Sequence, residues 1–221
     1  MRKRIALLLA LALAICALSG CGKKEDLFAA VPNPLAVITL SDGSVMQFEL
    51  YFQEAPNTVA NFATLANAGF YDGQRFFRIV PGVLVQAGDP NNNGTGHADY
   101  VIQGEFAQNG IENGVRHVRG TIAMSRQEDY DTASSQFFIL QGTYPEYNGM
   151  YAAFGKVVDE ESLNVLDRIA YASVDADYIP VSSVPSIETI RVQTYGYKLT
   201  PATMPYPEIT KAPVIEEEEA Y

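Results

Sequence analysis

An arginine stands inside a run that is otherwise almost wholly apolar: Phe76-Phe77-Arg78-Ile79-Val80-Pro81-Gly82-Val83-Leu84-Val85-Gln86-Ala87-Gly88-Asp89. A guanidinium among such neighbours is costly unless its head reaches a cleft or a partner. Pro81-Gly82 is a turn signal that resets the strand register. Beyond it, alternation puts Leu84, Gln86 and Gly88 on one face and Val83, Val85 and Ala87 on the other. A second run, Ser134-Ser135-Gln136-Phe137-Phe138-Ile139-Leu140, behaves the same way. Gln136, Phe138 and Leu140 point to one side, Phe137 and Ile139 to the other. A face that only filled a core would not need Gln86 and Gln136. Each run thus offers amides mixed with bulky apolar groups, near a fixed cation.

Other chemistries find little support. Ser125 and Ser135 have no His and Asp set to complete a hydrolase triad. His97 sits in the polar loop Gly94-Thr95-Gly96-His97-Ala98-Asp99, and His117 lies between Arg116 and Val118. Neither is a candidate for catalysis. Gly94 to Gly96 does not lead from a strand into a helix, so it is no phosphate loop. Cys16, Cys21, His97 and His117 lack the spacing of a zinc site, and no metal or other cofactor is expected. A net charge of −11 disfavours nucleic acid, whose phosphates need a basic surface.

The elements that must position these residues are mainly strands. Ala36 to Leu40 and Val45 to Phe52 alternate, with Met46, Phe48 and Leu50 on one face. Between Pro56 and Gly69 the period changes, and Val59, Phe62, Ala63 and Ala66 form a helical stripe. Asn57 or Thr58 is expected to cap its start and Gly69 its end. A second helix is expected from about Glu160 to Ala170, with Leu163, Leu166 and Ala170 inward. Short apolar runs lie between the helices, and Ile187 to Thr194 is a last strand. No helix follows each strand, so a doubly wound parallel sheet is not expected. An antiparallel barrel or sandwich with two helices is.

Of 221 residues, 48% are hydrophobic, enough for a core. The chain opens with Met1-Arg2-Lys3-Arg4 and an apolar stretch from Ile5 to Leu18. At about 14 residues, that stretch is short for a membrane span of roughly 20 and reads as a secretory leader. Leu18-Ser19-Gly20-Cys21 resembles the lipobox of bacterial lipoproteins. In that reading residues 1–20 are removed and Cys21 is lipidated, so no free thiol remains for catalysis or a disulfide. Residues 21–34 are then a tether, 35–196 the folded domain and 197–221 an acidic tail, of which Pro201 to Tyr221, with Glu216-Glu217-Glu218-Glu219, is expected to be disordered.

From about Ala36 to Tyr195 the chain resembles the cyclophilin family of peptidyl-prolyl cis-trans isomerases. The resemblance rests on ordered motifs: Pro56-Asn57-Thr58-Val59-Ala60-Asn61-Phe62, Phe77-Arg78-Ile79-Val80-Pro81-Gly82 through Gly88-Asp89, Ser135-Gln136-Phe137-Phe138-Ile139, and Ala153-Phe154-Gly155-Lys156-Val157. Gly120-Thr121-Ile122-Ala123-Met124-Ser125 fits between them. It implies a mainly β fold, a closed eight-stranded antiparallel barrel capped by two α-helices. It also implies that Arg78 is the catalytic arginine and that Leu84, Gln86 and Phe138 line the proline pocket or orient the substrate backbone. Gln136 and Ser125 match neighbouring groove positions. Val83 falls where many members carry an aromatic, Tyr151 where many carry a histidine, and Phe77 replaces the histidine that usually precedes the arginine. The family's tryptophan is absent, and its region reads Tyr144-Pro145-Glu146-Tyr147-Asn148-Gly149-Met150-Tyr151. Val83, Tyr147 and Tyr151 are therefore the expected variable walls of the groove, with a wider, shallower pocket beside Val83.

The expected partners are proline-containing unfolded or exported polypeptides, and the membrane through lipid on Cys21. The expected location is the extracytoplasmic face of the cell membrane, and the chain is expected to act as a monomer. A second reading keeps the groove as a catalytically weak, lipid-tethered peptide-binding or chaperone module.

Overall fold

The computed structural model describes residues 32–206. The leader, the lipobox with Cys21, and Glu216 to Glu219 lie outside the described residues. Contacts divide the chain into residues 1–32 and 33–221, and all described residues but Pro32 belong to the second unit. Among the described residues no helix is long and apolar enough to cross a membrane.

In chain order the elements are β1 (Leu35–Leu40), β2 (Val45–Leu50), α1 (Pro56–Asn67), β3 (Arg78–Val80), β4 (Leu84–Ala87), β5 (Tyr100–Val101), β6 (Thr121–Met124), β7 (Phe137–Leu140), β8 (Ala153–Val157), α2 (Glu160–Ala170), β9 (Ile187–Gln193) and β10 (Met204–Pro205). Eight of them form one antiparallel sheet in the order β3-β4-β7-β6-β8-β2-β1-β9. The expected closed barrel is instead a curled, open sheet with β3 and β9 as its edges. With only three residues, β3 is too short to carry a full ladder to a second neighbour. Just before it, Gly73 N–H donates to Ile187 O and Ile187 N–H donates to Gln74 O, both at 2.8 Å. Ile79 N–H donates to Tyr178 O at 2.9 Å, so the loop after α2 covers the edge that β9 leaves bare.

Alternation decides which side chains fill the curled sheet. In β1, Ala36, Ile38 and Leu40 are buried, and in β2, Met46, Phe48 and Leu50. They share a core with Val85, Ala87, Ile122, Met124, Phe137 and Ile139. In α1, the stripe Val59, Phe62, Ala63 and Ala66 faces that core as expected. In α2, Leu166 and Ala170 are buried, while Leu163 is only half-buried. The central strands β4, β6 and β7 are buried on both faces. Their outward side chains, Leu84, Ala123, Phe138 and Leu140, form a second cluster with Ala153.

The two helix starts differ. Asp159 caps α2 by accepting from Ser162 N–H at 2.8 Å. At α1, Pro56 takes the first helical position and leaves Ala55 at the cap, with no side-chain bond. The expected caps, Asn57 and Thr58, do not serve. Glu105, distant in sequence, accepts from Asn57 N–H at 3.0 Å, Thr58 N–H at 2.7 Å and the Thr58 hydroxyl at 2.6 Å. A carboxylate there also suits the positive end of the helix. Asn57 turns instead to Ala202, exchanging two hydrogen bonds with its backbone. Residues 199–206, expected in the acidic tail and from Pro201 on expected to be disordered, are thus laid along the domain, and β10 pairs with β5.

Glu105→Ala strands two backbone N–H groups and a hydroxyl at a buried helix start. Thermal denaturation followed by circular dichroism should show a loss of about 1–3 kcal/mol. An unchanged melting temperature would contradict this account of the helix start.

Candidate active site

Register alone assembles the site. Pairing sets Arg78 against Gln86, Gln86 against Phe138, Phe138 against Ala123, and Ala123 against Ala153. One row therefore crosses five strands on the outer face of the sheet. The two alanines leave a low floor beside the Phe138 ring. Val80, Val83, Leu84, Val115, Tyr144, Tyr147 and Tyr151 pack around it. Val83 joins this outer cluster rather than the inner one alternation assigns it. It belongs to the turn, where its N–H donates to Val80 O at 2.9 Å.

The polar half is a chain of committed amides. Arg78 Nη1 donates to Gln86 Oε1 at 3.3 Å. Gln86 Nε2 donates to Ser125 Oγ at 3.1 Å and Gln136 Oε1 at 3.0 Å. Gln136 Nε2 donates in turn to Gly96 O at 2.8 Å and Gly94 O at 3.1 Å. The loop bearing those carbonyls is tied by the buried Asp89 carboxylate, which accepts from the N–H groups of Asn91, Asn93 and Gly94. Past Gly88, β4 and β7 come so close that a Cβ there would strike the Ser135 carbonyl. Among the described residues no carboxylate pairs with Arg78, so its charge is not spent on an ion pair.

The apolar half is an aromatic corner. Tyr151 and Tyr147 stand edge-on to Phe138, with centroids 5.4 and 6.2 Å away. Both tyrosines are half-buried groove wall rather than free surface. All the expected site residues lie in or beside this groove: Arg78, Val83, Leu84, Gln86, Phe138, Tyr147 and Tyr151 on one side, Ser125 and Gln136 on the other. No group of His, Cys, Asp or Glu among the described residues could hold a metal ion.

Three neighbours escape a reading of the sequence. Tyr178 lies under the guanidinium of Arg78, 5.8 Å from its ring centroid. Its left-handed φ of 64° is unusual for a tyrosine, and Asp175 holds the turn by accepting from Asp177 and Ile179 N–H. Tyr206 stacks on His97 at 3.5 Å. His117 is 1% exposed and stacks behind Phe138. None of the three lies on a periodic element, so no pattern marks them.

His117 shares Asn148 Oδ1 through its backbone N–H at 2.8 Å and its Nδ1 at 3.1 Å, while Nε2 is buried with no partner. Burial lowers its pKa below the ordinary 6.5, and the Asn148 contact offsets this only in part. The folded state therefore keeps His117 neutral while the unfolded chain binds a proton. Its neutral form costs nothing above 6.5, and stability is lost as pH falls below that value. Urea unfolding at pH 7.5 and 5.5 should show a drop that His117→Phe reduces. An equal drop in both proteins would remove His117 as its source.

Comparison with known proteins identifies the family. The family model described as cyclophilin type peptidyl-prolyl cis-trans isomerase/CLD matches residues 35–192. Peptidyl-prolyl cis-trans isomerase B of Bacillus subtilis is 45% identical over 118 residues, covering 53% of this chain and 79% of that protein. A peptidyl-prolyl cis-trans isomerase of Helicobacter pylori is 36% identical over 162 residues, covering 73% of this chain and 94% of that protein. A cyclophilin type isomerase of Cryptosporidium parvum, crystallised in the presence of the dipeptide Ala-Pro, matches with a TM-score of 0.61 and 27% identity. That match covers 72% of this chain and 98% of the other. The groove across the outer face of the sheet thus belongs to a peptidyl-prolyl cis-trans isomerase, and the chain is a member of the cyclophilin family.

Proposed function

We propose that this isomerase is a foldase for exported proteins, held by lipid on Cys21 at the extracytoplasmic face of the cell membrane and acting as a monomer on proline-containing chains. The charged, apolar leader and Leu18-Ser19-Gly20-Cys21 support the location. The row of Arg78, Gln86 and Phe138 is the observation that carries the catalytic assignment.

Resonance holds the X-Pro amide planar, and crossing to the twisted state costs about 18–20 kcal/mol. No bond is broken, so neither nucleophile nor metal is needed. In the twisted state the prolyl nitrogen becomes pyramidal and its lone pair can accept a hydrogen bond. Arg78 donates to it there and not in the planar ground state, which is what lowers a barrier. Gln86 orients the guanidinium and the substrate backbone. Phe138, with Val83 and Leu84, receives the proline ring, and Tyr147 and Tyr151 close its side. Ser125 and Gln136 fix the amide of Gln86.

Arg78→Ala should lower kcat/KM about a hundredfold, mostly in kcat, as loss of one preorganised donor does elsewhere. Arg78→Lys should rescue little, because an ammonium cannot copy the planar fork. Phe138→Ala should act mainly on KM. Protease-coupled assays on an X-Pro peptide, with circular dichroism of each variant, test all three. Near wild-type turnover in folded Arg78→Ala would make the arginine structural, whereas weak turnover of the wild type itself would favour the reading as a catalytically weak peptide binder.

Cys21→Ser should shift the full-length protein out of the membrane fraction or leave its leader uncleaved. Unchanged fractionation and processing would refute the anchor without touching the enzymatic assignment.

A further inference from the structure

Gln86, Ser125 and Gln136 also line a recess of about 430 Å³, which lies to the side of the aromatic corner. Its remaining walls include Thr95, His97, Arg126 and Tyr206. Tyr206 lies beyond residues 35–192, the part of the chain that matches the family model, so it is an addition specific to the C-terminal segment. Several independent contacts hold it there. Thr64 donates to Leu199 O, Asn57 brackets Ala202, and β10 pairs Met204 with Val101 and Pro205 with Tyr100. The Tyr206 ring then lies 3.5 Å from that of His97, at 6° from parallel, and its hydroxyl accepts from Gln127 Nε2.

We infer that Tyr206 is a specificity-determining residue: the C-terminal strap brings it to close one wall of a recess that receives a substrate side chain near the X-Pro bond and prefers acids and amides to cations. The inference rests on the isomerase activity and adds a selection rule to it. No carboxylate lines the recess, although the chain carries 26 Asp and Glu. Its one arginine is held rigidly. Arg126 donates to the carbonyls of Met150, Gln127 and Glu128 and lies 5.0–5.3 Å from the ring centroids of Phe106, Tyr130 and Tyr151. Among the described residues no acid forms an ion pair with it. An ammonium entering the recess sheds water beside a like charge and finds no acceptor of opposite sign. A carboxylate or amide enters beside a cation and hydroxyl donors. The stacked Tyr206 and His97 rings make the wall that keeps such a side chain against Arg126 rather than in open water.

The test is a series of peptides with one X-Pro bond in which the second residue on either side is Glu, Gln, Ala or Lys. Wild-type turnover of the Ala peptide checks the isomerase activity by itself. The wild type should favour Glu or Gln over Lys by about tenfold in kcat/KM on one side of the bond. Tyr206→Ala should bring that ratio near one, by a loss with the Glu and Gln peptides that exceeds any loss with the Ala and Lys peptides. Tyr206→Phe, which keeps the ring, should keep most of the preference. An unchanged ratio in Tyr206→Ala would overturn the inference. So would a uniform gain for all peptides, which would make the strap a cover over the groove. A uniform loss accompanied by a lower melting temperature would also overturn it, leaving Tyr206 a purely structural clamp.

Discussion

A buried amide with both of its donors committed is the constraint around which the groove is organised. Gln86 is 9% exposed, accepts from Arg78, and donates to both Ser125 and Gln136. An amide so placed cannot rotate without stranding a donor or an acceptor away from water. The orientation passes outward through Gln136 to the loop that Asp89 ties, and inward to the guanidinium. Arg78 is therefore aimed by an acceptor of neutral charge, not by a carboxylate. That distinction matters for the proposed chemistry, since a carboxylate partner would draw the donor away from an amide nitrogen.

The apolar half depends on the same strands. Side chains of β4 and β7 alternate between an inner core and an outer cluster, so Val85 and Ile139 stabilise the sheet while Leu84 and Phe138 build the groove. The division is economical: no insertion is needed to create the pocket floor, because Ala123 and Ala153 supply it by being small. The loop with Tyr144, Tyr147 and Tyr151 then shields that outer face from water, and burial on both sides gives these short strands their rigidity.

What was legible in the sequence follows period two and period 3.6. The faces of Leu84, Gln86, Gln136 and Phe138, the stripe of α1 and the span of α2 could all be read from spacing. So could the mismatch of an arginine in an apolar run. What could not be read are contacts between segments far apart in the chain. Nothing near Pro56 announces that Glu105 caps it, and nothing near Arg78 announces Tyr178. His117 looks like a loop residue until the fold closes over it. The strap of residues 199–206 looked like tail because its few apolar residues show no period, yet Asn57 and β5 give it partners. The closed barrel failed for a similar reason: strand count is readable, whereas the length of the last ladder is a matter of three-dimensional fit.

The open seam has a consequence for how the molecule breathes. β4, β6 and β7 lie inside the sheet with a neighbour on each side, but β3, which carries Arg78, lies at its rim and leans on the Tyr178 carbonyl. Amide exchange with solvent proceeds through local openings, and rim strands open at lower cost than central ones. Within the groove, Arg78 therefore sits on the softer rim, while Gln86 and Phe138 sit on strands with a neighbour on each side. The apolar floor opens only with the global fold, while the arginine can leave its station in a fluctuation that keeps the sheet intact.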